Sequence, residues 1–175
     1  MSLSANEKNL LLKVARDTLL AHLAKKPLPP LPRPIGRLGE KAGAFVTLHK
    51  GDQLRGCIGN MVGQGPLVNT IQEMAIESST HDPRFPPVTL DELLDISIEI
   101  SVLSPLKKIK KVDEIEVGKH GIIMTHGWNR GVLLTQVATE NNWDRETFLI
   151  NTCHKAGLPP DAWKNPQTVI EIFSA

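Results

Sequence analysis

Ile96-Ser97-Ile98-Glu99-Ile100-Ser101-Val102 carries the clearest structural signal in the chain. A branched aliphatic residue stands at every second position, with serine or glutamate between. That period of two predicts a strand with one face in a core and the other outside it. Upstream, Ala44–Lys50 and Leu54–Asn60 flank Gly51-Asp52-Gln53, the pattern of a hairpin. Gly65-Pro66 then opens a helix whose inner stripe is Leu67, Ile71, Met74, Ala75 and Ser78. His81-Asp82-Pro83-Arg84-Phe85-Pro86-Pro87 is a loop by its prolines, and Thr89 and Glu92 cap one short helical turn before the Ile96 strand. Downstream the plan repeats. Gly121–His126 and Gly131–Gln136 form a second hairpin. Asn142, Asp144 and Glu146 start a helix with Phe148, Leu149, Thr152, Cys153 and Ala156 inside, ended by Gly157, and Thr168–Phe173 is the last strand. The halves superpose at an offset of roughly 75 residues, with Arg55-Gly56 and Arg130-Gly131 in register. The expected fold is α+β: two similar lobes, each a strand-strand-helix-strand unit.

Four segments follow from this reading. Residues 1–43 hold an N-terminal helix and a proline-rich arm, 44–104 the first lobe, 105–120 a crossover and 121–175 the second lobe. Ser4 and Glu7 make a capping box, so the first helix is expected to start at Ala5, with Leu11, Val14, Ala15, Thr18 and Leu19 inside. The arm KPLPPLPRP (26–34) holds five prolines and reads as an extended segment laid on the surface. The crossover carries Lys107, Lys108, Lys110 and Lys111 followed by Asp113, Glu114 and Glu116, a solvated mixed-charge helix or connection rather than a phosphate site.

Composition narrows the function classes. The 175 residues include 41% hydrophobic and 22% charged, ordinary for a globular protein. Twenty basic against nineteen acidic residues give a net charge of +1, which argues against a protein devoted to nucleic acid. Three Trp, four Phe and no Tyr leave little for base stacking and no phenolic acid catalyst. The N-terminal stretch has charges within its apolar run, so no signal peptide is expected, and no apolar run is long enough for a membrane span. The expected compartment is the cytoplasm, with Cys57 and Cys153 reduced and unlinked.

The chemistry-bearing residues centre on Leu54-Arg55-Gly56-Cys57-Ile58-Gly59. Strand alternation places Arg55 and Cys57 on one face, and Gly56 and Gly59 clear side chains beside them. A guanidinium near a thiol favours the thiolate; a buried cysteine in a packing motif is the competing reading. Glu99 lies on the polar face of its strand and is the first choice of partner for Arg55, with Asp82 second. His81, Asp82 and Arg84 put an imidazole, a carboxylate and a guanidinium on one loop. A Cys57–His81–Asp82 triad is conceivable, although sequence neighbours rarely face one another as base and orienter do. The six histidines show no metal-ligand spacing, and neither GxGxxG nor GxxxxGK[ST] occurs, so no metal or nucleotide cofactor is expected. Cys153 reads as core, and Trp128 and Trp143 as lids over apolar faces.

Five segments together, LRGCIG (54–59), DPRFPP (82–87), EISVLSP (99–105), RGVLLTQVA (130–138) and the run from Trp143 to Leu158, resemble the AMMECR domain family. Its bacterial and archaeal members are called AmmeMemoRadiSam system protein A. The resemblance runs from about residue 5 to the C-terminus; Thr135, where the family usually has Pro, departs from the pattern. It implies a two-lobed α+β fold, association with a Memo-type protein and a radical SAM protein, and no established activity. It also implies that LRGCIG is the functional segment. The candidate binding residues are therefore Arg55, Gly56, Cys57, Gly59, Asp82 and Arg84, and the candidate catalytic ones Cys57, Arg55 and Glu99. The expected role is an accessory component acting with those two proteins; an enzyme with a thiol- or Arg-lined cleft is the alternative. An unknown small-molecule ligand fits either.

Overall fold

The computed structural model describes residues 3–175, which divide into two compact units, one ending at Leu103 and one beginning at Ser104. The first opens with α1 (Ala5–Leu23), whose start is set by reciprocal capping between Ser4 and Glu7. Leu11, Val14, Ala15, Thr18 and Leu19 are its buried positions, the stripe that helical spacing predicts. The arm follows as extended chain. Leu31 packs on the core and the Pro29 carbonyl accepts from Gln72, so it lies along the body of the unit.

β1 (Ala44–Lys50), β2 (Gln53–Asn60) and β3 (Ile96–Val102) form an antiparallel sheet in the order β2-β1-β3. α2 (Leu67–Thr80), capped by Pro66 and not begun by it, lies against β1 and β2 and packs with α1. The core fills the space between helices and sheet with Ala44, Val46 and Leu48 of β1 and Ile71, Met74 and Ala75 of α2. Ile96 is buried, while Ile98, Ile100 and Val102 pack on that core at the sheet edge and stay partly open; the period of two gives the correct face.

In the second unit, β4 (Lys107–Lys108), β5 (Gly121–His126), β6 (Asn129–Leu133) and β7 (Val169–Phe173) form an antiparallel sheet in the order β4-β7-β5-β6. β6-β5-β7 repeats the connectivity of β2-β1-β3. Each central strand is flanked by its hairpin partner and by the strand after the helix. One element differs from expectation. The strand read as reaching Gln136 ends at Leu133, and Thr135–Glu140 form a short helix α3. The lysine-rich connection takes the crossover form of the two expected: Lys107 and Lys108 pair with β7, a single 3-10 turn spans Val112–Glu114, and Glu114 accepts from Lys107 Nζ and from the N–H groups of Lys110 and Lys111. α4 (Arg145–Lys155) starts on an Asp144 cap and buries Phe148, Leu149, Thr152 and Cys153. Trp143 packs on this second core as expected, but Trp128 is no lid and stands fully in solvent.

One packing device recurs in both units. A Cβ on Gly56 would fall onto the Ser78 carbonyl in the last turns of α2, and one on Gly131 onto the backbone of Ala156 just after α4. In each unit the strand approaches the end of its helix through a residue without a side chain. The repeated Arg-Gly pair thus has a structural cause.

Candidate functional site

β2 is an edge strand, and its register with β1 decides where the LRGCIG side chains go. Thr47 pairs with Cys57 and Leu48 with Gly56, but His49 pairs with Leu54, so Arg55 has no partner across the ladder. This bulge lets the Arg55 guanidinium reach past the sheet edge. Nε and Nη2 donate to the two oxygens of Glu92 at 3.1 and 3.0 Å, Nη1 to the Pro86 carbonyl at 2.8 Å and Nη2 to the Pro87 carbonyl at 3.3 Å. The expected partners, Glu99 and then Asp82, are both incorrect. Glu99 lies on β3, on the far side of β1, while every Arg55 side-chain hydrogen bond runs to Pro86, Pro87 or Glu92. Glu92 also accepts from the Thr89 N–H at 3.0 Å and lies 3.5 Å from Lys50 Nζ. The Arg55 hydrogen bonds, chiefly, hold its pKa at about 2 instead of 4.5.

Asp82 and Arg84 close the same edge two residues on. The Cys57 N–H donates to Asp82 Oδ2 at 2.9 Å, and the Cys57 carbonyl accepts from Arg84 Nη2 at 3.2 Å. Arg84 in turn grips Asp82 through Nε to Oδ1 at 2.9 Å and Nη2 to Oδ2 at 2.7 Å. The two side chains stand where the peptide of a further strand would pair, so they block the edge. The Asp82 side chain is only 3% exposed, and the Arg84 hydrogen bonds hold its carboxyl well below the usual range against the opposing effect of burial. The Arg84 guanidinium also sits 5.4 Å from the centre of the Phe85 ring.

His81 takes no part. Its Nδ1 lies 3.2 Å from Glu77 Oε2, and both Asp82 oxygens are committed elsewhere, so the Cys57–His81–Asp82 triad does not form.

The face of the sheet away from the helices is different in kind. Thr47 is paired with Cys57 on one side and Glu99 on the other, and directly paired residues share a face, so Cys57, Thr47 and Glu99 form a row across three strands. The Thr47 hydroxyl donates to Cys57 Sγ at 3.2 Å. Cys57 is half-buried and Glu99 exposed, with no hydrogen-bond or ion-pair partner for Glu99 among the described residues. The next rows add His49 with Ser97 and Phe45 with Ser101; the Phe45 ring lies over Gly59, where a Cβ would strike it. Sequence reading missed His49 and Glu92. Alternation along β1 puts Phe45, Thr47 and His49 opposite the buried Ala44, Val46 and Leu48, and that signal could have found His49. Glu92 was visible only as a helix cap.

No group of three His, Cys, Asp or Glu side chains among the described residues could hold a metal ion. Cys153 is enclosed, its Sγ 3.1 Å from Met124 Sδ, and burial pushes its thiol pKa up. Both cysteines are free. No helix among the described residues is long and apolar enough to cross a membrane.

Residues 12–175 match the family described as AMMECR1. A protein of Methanothermobacter thermautotrophicus is 44% identical over 180 residues, covering 99% of this chain and 94% of the relative. Protein MK0488 of Methanopyrus kandleri is 44% identical over 183 residues, covering 99% and 88%. The crystal structure of the uncharacterized protein PH0010 from Pyrococcus horikoshii superposes with a TM-score of 0.84 at 39% identity, covering 94% of this chain and 86% of that one. The chain therefore belongs to the AMMECR1 family, whose function is not established.

Proposed function

We propose that this chain is an accessory protein of the cytoplasm that presents the open face of its first sheet to a partner, with a Memo-type protein and a radical SAM protein as the partners the family resemblance implies. The observation that carries this reading is how the motif charges are used. Arg55, Glu92, Asp82 and Arg84 are spent on one another and on main-chain groups of β2 and the 82–87 loop. A general base or substrate clamp needs a free valence; a lock that fixes a surface does not. What the lock holds still is the Cys57–Thr47–Glu99 face.

A second reading has one observation in its favour. The Thr47 hydroxyl fixes the position of Cys57 Sγ on the open face, so the same face would suit an enzyme working through that thiol.

Calorimetric titration of the chain with a Memo-type and with a radical SAM protein from the same organism tests the first reading. Glu99→Arg alters an exposed, unpartnered side chain and leaves the fold intact; it should weaken binding at least tenfold. Wild-type affinity unchanged by Glu99→Arg, or no binding to either protein, would refute it.

A further inference from the structure

Trp128 sits at the tip of the β5–β6 hairpin with a relative exposure of 103%, as open as a side chain can be. The other two tryptophans pack on the core of the same unit. Exposing an indole forgoes the favourable burial of the largest apolar side chain there is. The tip is also rigidly built. His126 pairs with Asn129 across a two-residue turn, and Gly127 takes the positive φ of +58° that the first turn position of such a hairpin demands. Asn129 Nδ2 then donates to the Ala156 carbonyl at 3.0 Å and to the Gly157 carbonyl at 3.4 Å, tying the turn to the end of α4. Gly131 lets β6 lie flush against that same backbone. The ring is therefore held out on a braced support, with only its own two torsions left to fix on binding.

The surroundings are cationic. Arg130 is exposed two residues along β6, and Lys155 is exposed in the last turn of α4, beside the Asn129 anchor. Neither has a carboxylate partner among the described residues. We infer that the Trp128 hairpin is a docking knob for a protein partner whose receiving surface is an apolar pocket rimmed by carboxylates. Tryptophan and arginine are among the residue types in which interface hot spots are enriched. A second copy of this chain is the poorer occupant, because a tip-to-tip contact would bring Arg130 and Lys155 against their own copies. A lipid surface is poorer too: stable membrane binding takes more buried apolar area than one ring supplies.

The inference rests on the reading that the chain works with a partner protein, but it concerns a different surface. Titrations with the Memo-type and radical SAM proteins, repeated for Trp128→Ala, Arg130→Ala, Leu94→Ala and Glu99→Arg, separate the two. Trp128→Ala touches nothing in the fold, so its melting temperature should stay within about 2 °C of wild type. Its affinity for one of the two proteins should fall about thirtyfold or more. Arg130→Ala should cost about three- to tenfold and flatten the loss of affinity between low and high salt. Leu94→Ala removes an equally isolated exposed side chain, 91% open, and should change nothing. Wild-type affinity in Trp128→Ala together with weakened binding in Glu99→Arg overturns this inference and leaves the sheet-face reading standing. Failure of the wild-type chain to bind either protein overturns both. Trp128-dependent dimerisation in sedimentation, or Trp128-dependent binding to phosphatidylglycerol vesicles, would give the knob a different occupant and also overturn it.

Discussion

Replacing Arg55 with alanine tests whether the LRGCIG arginine is a lock. The guanidinium is 13% exposed and makes a two-pronged pair with Glu92, itself 23% exposed. Moving the Glu92 pKa from 4.5 to about 2 corresponds to at most about 3 kcal/mol. Thr89 and Lys50 carry part of that, and water screens the open quarter of the side chain, which leaves Arg55 roughly 1–2 kcal/mol. The Pro86 and Pro87 carbonyls belong to exposed residues that water can reach, so their loss adds little. The expected destabilisation is about 2 kcal/mol, between an open surface pair and a sequestered one. Urea unfolding followed by circular dichroism at the helix minimum suits the measurement. The two longest helices, of 19 and 14 residues, lie in the first unit, and Trp128, Trp143 and Trp163 all lie in the second, so fluorescence gives a separate readout. Arg55→Lys should recover less than half of the loss, because an ammonium cannot span two carboxylate oxygens and two carbonyls. A cycle with Glu92→Gln should return a coupling of about 1–2 kcal/mol. A loss under about 0.5 kcal/mol for Arg55→Ala, or zero coupling, would refute the lock.

Other outcomes follow from the same geometry. Glu92 is depressed in the folded state, so the native chain binds fewer protons than the unfolded one. The stability it adds is complete above pH 4.5 and fades as pH falls toward 2, and Glu92→Gln should flatten acid unfolding in that window. Gly56→Ala should cost about 2–4 kcal/mol, since its methyl meets the fixed Ser78 carbonyl and not a flexible side chain; a melting curve like wild type would count against the close approach of β2 to α2. A thiol reagent should titrate one cysteine in the native protein and the second only on unfolding, Cys57 first because Cys153 is fully enclosed; the reverse order by peptide mapping would contradict the packing.

Much of the fold was legible because local periodicity and burial agree. The α1 and α2 stripes and the alternation of Ile96–Val102 each follow from one residue's spacing to the next, and the structure places every one on the predicted side. The duplicated plan was legible for the same reason, down to Gly56 and Gly131. The site was harder to read because its partners are set by register. A single-residue bulge at Arg55 decides between Glu92 and Glu99, and nothing local to LRGCIG announces it. His49 escaped because histidines were weighed only by metal spacing. Trp128 escaped because an aromatic at a turn suggests packing, and only the structure shows that nothing lies beneath it.

The central claim is that the motif charges hold a sheet face ready for a protein partner. Hydrogen–deuterium exchange of the chain, alone and saturated with a Memo-type protein, tests it most directly. The account predicts slowed exchange in the peptides covering β1, β2 and β3, centred on Thr47, Cys57 and Glu99, with α1 unchanged. Tight binding that leaves those three strands exchanging as they do in the free chain would contradict it.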